Sequence, residues 1–224
     1  MDLGNKPIVF GAPYSVYVRA VRLAFEEKGV GYELVPVDIF AADGPPAEHV
    51  ARHPFGKIPA FEHAGFRLYE TGAITRYVDE VFDGPSLQPT DPRSRARMNQ
   101  IISILDNYAY RTLVWDIYVE RVARPASGVA SDEEKIAAAL PKAKVCLSAL
   151  GQLMDDAPWL AAPTISLADL HATPIFAAFL RTPEGLHLLS PHDRLSGWWS
   201  RMSTRPSFVR TTVPPRHASQ RETR

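Results

Sequence analysis

The sequence predicts an α/β domain of order βαβ-ββα followed by an all-α helical domain. Three observations carry that prediction. Residues 1–82 interleave short apolar runs with two helical periods. Residues 83–92, DGPSLQPTDP, hold three prolines and a glycine that no helix can run through. Residues 93–213 are helical in period wherever they are periodic at all.

Ile8 to Gly11 is a short apolar run of the kind a buried strand makes. Ser15 to Lys28 follows with Val18, Val21, Ala24 and Phe25 on one helical face, and Gly29 is a good residue to end it. Tyr32 to Val37 alternates as a second strand, so the opening is a βαβ unit with a right-handed crossover. A loop rich in Gly, Pro and Ala leads from there to His53. Ala60 to His63 and Phe66 to Tyr69 then read as two strands joined at Ala64-Gly65, a hairpin. Gly72 to Phe82 places Ile74, Tyr77, Val78 and Val81 at a helical period, with Thr71 as its expected N-cap.

Beyond the linker, Arg93 to about Val122 is one long helical pattern. Its stripe is Met98, Ile101, Ile102, Leu105, Tyr108, Ala109 and Thr112. Pro125 to Ser131 interrupts, and Asp132 to Met154 resumes with Leu140, Val145, Leu147, Leu150 and Leu153. Pro141 should kink or split that helix, and Pro174 should bend or shorten the one that follows. Ser166-Leu167-Ala168-Asp169 has the form of a capping box. Trp198 and Trp199 lie in a last aromatic segment, Ser196 to Met202, and residues 214–224 read as a mobile tail.

Bulk properties exclude several classes. The 25 basic and 25 acidic residues cancel, so nothing points to nucleic acid or to an anionic membrane surface. No apolar run approaches the roughly 20 residues that span a bilayer, and no secretory signal is visible, so a cytoplasmic protein is expected. The single cysteine, Cys146, leaves no internal disulfide to form and reads as a small buried hydrophobe. The seven histidines show no metal-ligand spacing, and no metal is expected. No P-loop, dinucleotide fingerprint or nucleophile elbow is present.

The informative stretch runs from His53 to Tyr77. Ile58-Pro59, after the turn Pro54-Phe55-Gly56, is either an edge device or a cis peptide. A cis bond there would face the main chain of Ile58 outward to pair with an extended peptide. Glu70 offers a carboxylate to an amine, and the helix start at Thr71 offers N–H groups to a carboxylate. Together these suit a small peptide with a free amine and a free carboxylate. Ser15, between the first strand and first helix, can cap that helix or donate a hydrogen bond to a thiolate; its position alone allows both.

Pro54-Phe55-Gly56-Lys57-Ile58-Pro59 and Glu70-Thr71-Gly72-Ala73-Ile74, at this spacing, resemble the thioredoxin-like domain of soluble glutathione transferases. The likeness covers nearly the whole chain and is nearest to serine-type members, plant phi and theta-like enzymes and related bacterial ones, whose first helix also ends in Glu-Lys-Gly (Glu27-Lys28-Gly29 here). It implies that Ser15 activates the glutathione thiol, which then attacks a hydrophobic electrophile. It implies that Glu70 and Thr71 hold the γ-glutamyl end, that Ile58, with Pro59, pairs with the cysteinyl backbone, and that Lys57 reaches the glycyl carboxylate. Tyr14 and Tyr17, which flank Ser15, compete for the activating role; Gly11 occupies the place where tyrosine-type members carry theirs. Plant serine-type enzymes often show Gln at Lys57 and a His-Lys pair in the loop that here reads Phe40-Ala41-Ala42-Asp43-Gly44.

The resemblance also puts an acceptor site between the domains, partly on the first long helix. Its candidates are Tyr14, Tyr108, Tyr110, Arg111, Trp115 and Tyr118, although aromatics at helical spacing also serve as core. An exposed aromatic at Phe55 would anchor a two-fold homodimer. Two rival readings keep the fold: a module that binds glutathione or apolar ligands without turnover, and a glutathione-dependent isomerase or peroxidase.

Overall fold

The computed structural model describes residues 6–154 and 156–212. The expected tail, 214–224, lies outside them. The first unit is a four-stranded mixed sheet in the order β2-β1-β3-β4, formed by β1 (Ile8–Phe10), β2 (Glu33–Val35), β3 (Ala60–His63) and β4 (Phe66–Tyr69). β1 pairs parallel with β2 and antiparallel with β3, Val9 lying opposite both Leu34 and Phe61. The β3–β4 hairpin turns at Ala64 and Gly65 with φ of 51° and 78°. Both central residues lie in the left-handed region that tight hairpins require.

Helix α1 (Val16–Lys28) crosses between β1 and β2. Its buried residues, Val18, Val21, Ala24 and Phe25 among them, form the face read from the sequence. Gly29 ends it at φ 69°, donating back to the carbonyl of Glu26. A four-residue helix, α2 (Ala47–Val50), interrupts the loop that leads to β3, and α3 (Thr71–Val81) closes the unit.

The segment 83–92 reaches α4 (Pro92–Ile104), which Asp91 caps by accepting from Ser94 N at 2.8 Å. The helix continues in wider π-type turns over Leu105–Ala123. That change of period rotates Tyr108 off the expected stripe: it is 64% exposed, while Ala109, Thr112 and Leu113 are buried. A short α5 (Arg124–Ala126) follows, then α6 (Glu133–Leu153). Pro141 does not split α6. Residues Ala137 and Pro141 are both exposed, so water can serve the carbonyl that the proline leaves unbonded. Val145 is exposed as well, whereas Leu147 and Leu150 are core.

Helix α7 (Leu167–Phe179) is the centre of the second unit. It is buried all round from Leu167 to Phe176, and this enclosure carries it straight through Pro174. Three shorter helices, α8 (Pro183–Leu189), α9 (Asp193–Ser203) and α10 (Pro206–Thr211), complete the chain; α9 carries the aromatic segment, and sequence periodicity showed neither α8 nor α10.

The Ser166–Asp169 motif is a capping box and more. Asp169, fully buried, accepts from Ser166 N (2.7 Å), Ser166 Oγ (2.9 Å), Leu160 N (2.9 Å) and Trp198 Nε1 (2.8 Å). Burial pushes its carboxyl up, against four donors that pull it down. Those donors belong to the segment before α7 and to α9, and the carboxylate itself to α7, so one side chain ties three pieces of chain together. Asp169→Ala should therefore cost about 3–5 kcal/mol, because it strands buried donors, while Trp198→Phe should cost about half of that or less. Urea unfolding at a fixed protein concentration measures both, and a loss below about 1 kcal/mol for Asp169→Ala would refute the account.

Candidate active site

The end of β1 and the start of α1 meet the Ile58–Pro59 turn and the start of α3 at one edge of the sheet. Ser15 is the N-cap of α1, with φ −68° and ψ 131°, and its Oγ accepts from Val18 N at 3.4 Å. That bond is long, and the half-buried hydroxyl keeps its own proton to donate. The cap and the thiolate donor are thus compatible roles for one oxygen. Gly11, four residues earlier, has no room for any side chain. A Cβ there would come within 2.4 Å of Val18 Cγ2 and 3.2 Å of Ile58 Cβ. The strand-end position used by tyrosine-type transferases is sterically closed.

The Ile58–Pro59 peptide is cis, and Ile58 is buried. Lys57 is exposed, and its carbonyl accepts from His49 Nε2 at 2.7 Å. His49, on the short α2, therefore pins the loop that carries Lys57 and Ile58. Nothing in the sequence marks that role, because a lone histidine outside any motif has no recognisable partner.

One assignment needs correction. Thr71 is the first residue of α3, and Glu70 takes the N-cap place with φ 71° and ψ 116°. Glu70 makes no side-chain cap bond, so its exposed carboxylate stays available. A left-handed φ is costly for a residue other than Gly or Asn, and such strain collects at functional sites. Glu70's carbonyl accepts from Ala73 and Ile74 at 3.0 Å each. The helix has no carbonyl to offer the N–H groups of Thr71 and Gly72, which remain an anion-binding corner. Arg76 steadies this corner, donating to Gly72 O at 2.8 Å and to Asn99 Oδ1 at 2.5 Å on α4.

The acceptor candidates separate into two groups. Tyr17, in the first turn of α1, lies 4.5 Å from Tyr110 between ring centroids, and burial, opposed by the neighbouring Trp115, pushes the Tyr110 phenol up. Tyr110 and Trp115 are both half-buried and stand near Ser15 through Tyr17. Arg111 instead turns to Asp116, with Nε 3.0 Å from its Oδ1. Tyr118 accepts from Arg181 at 2.8 Å. Tyr108 points outward, and Tyr14 is 46% exposed beside Ser15.

Phe55 is 68% exposed, its ring 6.1 Å from that of Tyr69 and 6.2 Å from that of His53. It does not fold back beneath its own loop. Cys146 is buried, and burial pushes its thiol up, away from reactivity.

These parts form a groove edge with a hydroxyl, an exposed carboxylate, a helix N-terminus and an aromatic wall from the second unit. The glutathione S-transferase N-terminal domain matches residues 6–80, and the C-terminal domain matches residues 97–206. The probable glutathione S-transferase GSTF1 of Oryza sativa subsp. japonica is 30% identical over 89% of this chain and 92% of its own. The chain belongs to the glutathione S-transferase family. A Populus trichocarpa glutathione transferase of known structure superposes with a TM-score of 0.81 at 28% identity, covering 92% of this chain and 97% of that one. Glutathione S-transferase I from maize, solved in complex with an atrazine glutathione conjugate, gives 0.79 at 26% identity over 92% and 96%.

The tyrosine alternative to Ser15 can be tested directly. Burial, and after it the carboxylate of Asp106, holds the Tyr17 phenol far above its usual range. A phenol protonated throughout the working range contributes no limb to a pH–rate profile. Tyr17→Phe should leave the pH at which the bound thiol ionises within about 0.3 units, a change worth under about 0.5 kcal/mol. Thiolate absorbance near the ultraviolet edge, titrated with glutathione bound, measures it; a rise of a full unit would move the activating role from Ser15 to Tyr17.

Proposed function

We propose that this glutathione transferase binds the tripeptide along the Ile58–Glu70 edge and activates its sulfur with Ser15. The observation that carries the reading is the Ser15 hydroxyl, weakly engaged as a cap at the start of α1 and set across from the cis turn and Glu70. The γ-glutamyl amine meets the Glu70 carboxylate, and its carboxylate meets Thr71 and the first N–H groups of α3. The cysteinyl backbone pairs with Ile58, beside Pro59, and Lys57 lies within reach of the glycyl end. The sulfur then falls near Ser15. There a donated hydrogen bond and the positive end of α1 favour thiolate over thiol.

Each unit by which the thiol pKa falls corresponds to about 1.4 kcal/mol of preferential thiolate stabilisation. The thiolate attacks an electrophilic carbon, forms the C–S bond and expels the leaving group with its electron pair. Tyr14, Tyr110 and Trp115 supply apolar surface for the electrophile. Conjugation is favoured over glutathione-dependent isomerisation or peroxide reduction because the chain's relatives include an enzyme holding an arylated glutathione product. A cytoplasmic place of action fits the single, buried cysteine.

Ser15→Ala should raise the pH at which bound glutathione ionises by about one to two units and lower kcat, with much less effect on glutathione affinity. Stopped-flow turnover of a chloronitrobenzene acceptor across pH 6 to 9 reads both effects, and an unaltered profile would remove Ser15 from the mechanism. The sign is fixed: losing a donor to the charged form raises its pKa, so activity is lost at low pH and recovers as pH rises.

We also propose a two-fold homodimer anchored by Phe55. An aromatic two-thirds exposed in a turn, beside Tyr69 at 37%, is an apolar anchor awaiting a pocket. Phe55→Ser should shift the protein toward monomer at micromolar concentration and, through the adjoining Lys57 and Ile58, weaken glutathione binding. Sedimentation velocity decides; a variant that remains fully dimeric would place the anchor elsewhere.

A further inference from the structure

One polar cluster at the seam between the two units has no part in the mechanism above. His171, buried on α7, donates from Nε2 to Asp106 Oδ1 at 2.7 Å. Its Nδ1 is buried with no hydrogen-bond partner. Asp106 also acts on the hydroxyl of Tyr17, two residues beyond Ser15, and the Tyr17 ring lies 5.6 Å from His171 and 4.5 Å from Tyr110. Yet the Asp106 side chain stays 40% exposed. A carboxylate held by a buried histidine and still partly exposed is costly to build, since the histidine gives up one ring nitrogen to it.

The charged groups that act on the Tyr17 hydroxyl are Asp106 and Glu70, both negative. Bound glutathione brings its own ammonium to Glu70. It brings nothing to Asp106, and Arg111, five residues further along the same helix, is occupied with Asp116. Once glutathione is seated, the wall formed by Tyr17 and Tyr110 therefore keeps one carboxylate that no lysine or arginine pairs with among the described residues.

We propose that Asp106, held in place by His171 and Tyr17, gives the electrophile end of the site a fixed negative charge. It selects cationic or hydrogen-bond-donating electrophiles over anionic ones. This rests on the reading that the glutathione sulfur lies at Ser15. Asp106 acts directly on the substrate's charge, and His171 is a positioning residue that keeps the carboxylate turned to the cleft. The attraction is partly screened, because the carboxylate is exposed on one side, so the discrimination is moderate and depends on salt.

The test uses three S-(2-nitrophenyl)glutathione conjugates whose para substituent is hydrogen, carboxylate or trimethylammonium. Their affinities for the full-length protein are measured by titration calorimetry at low and high ionic strength. The trimethylammonium conjugate should bind about tenfold more tightly than the carboxylate one at low salt, and the gap should shrink as salt is added. Asp106→Asn keeps an acceptor for His171 and Tyr17 but should bring that ratio close to one, whatever it does to absolute affinity. His171→Leu should narrow the gap, and His171→Gln, whose amide can still donate, should restore much of it.

A wild-type ratio near one, or a ratio that survives Asp106→Asn, overturns the proposal. Should Asp106→Asn fail to fold, the wild-type salt series decides, since a ratio indifferent to salt also overturns it. Equal, tight binding of all three conjugates removes only this inference. Failure to bind any of them removes the glutathione reading and this inference together.

Discussion

The buried carboxylate of Asp79 sets the relation between the two halves of the molecule. Lys28, the last residue of α1, donates to Asp79 O at 2.9 Å and lies 3.3 Å from its Oδ1, both side chains being almost wholly buried. The same Oδ1 accepts from Leu87 N at 2.7 Å, in the segment between the domains. Leu87 O in turn accepts from Leu167 N at 2.9 Å, at the start of α7. An unbroken chain of polar contacts thus runs from α1 through α3 and the linker into the core of the second unit. Removing either member of a buried ion pair strands its partner, typically at 3–5 kcal/mol, which makes such a pair a strict constraint on geometry. Gly84 is part of the constraint, since a Cβ there would meet Lys28 O at 2.5 Å, closer than any side chain can approach.

That lock explains why the site can be divided between domains and still be exact enough for chemistry. Helix α1 packs against α3 on one side and α7 on the other. Its far end is fixed again by α10, where Arg205 holds Glu27 at 2.6 and 2.8 Å and Arg210 holds Glu26. Burial opposes ionisation of Glu27, but its bonds to Arg205 and Ser207 prevail and hold its carboxyl below the usual range. With one end anchored to three neighbours, the other end presents Ser15 and Tyr17 to the cleft in a fixed relation. Loss of that relation by an ångström costs catalysis heavily, because positioning is a large share of what an enzyme supplies.

The sequence carried the order of strands and helices along the first unit, the first and third helices and the motif around Ile58 almost residue by residue. Those features are local: periodicity, a glycine after a helix, a Pro after a turn. What it concealed was of two kinds. Proline was read as a breaker at 141 and 174, yet the enclosed α7 and the wet face of α6 tolerate it, because tertiary packing and water override a local preference. The second kind is pairing across the chain. Lys28 stood in the sequence only as the last residue of a helix, and nothing near it announces Asp79, His49 or Asp106. Thr71 was misplaced by a single residue for a related reason: a positive φ at a glutamate is invisible in composition, so Glu70 could not be recognised as the cap.

The electrostatics of the site follow from the same placement. Ser15 is neutral and depends on hydrogen bonding and the start of α1, while Glu70 and Asp106 add negative charge nearby. On its own that field would oppose a thiolate. In the binding mode proposed above, glutathione lessens the conflict by carrying an ammonium to Glu70, so the opposing field at the sulfur would be weakest when the γ-glutamyl end is seated. A free thiol without that amine would meet Ser15 against two carboxylates. Ionisation of the sulfur is thus coupled, through charge alone, to correct recognition of the far end of the peptide. On that proposal, binding energy at Glu70 would be converted into reactivity at Ser15, an effect that a contact at the sulfur alone cannot produce.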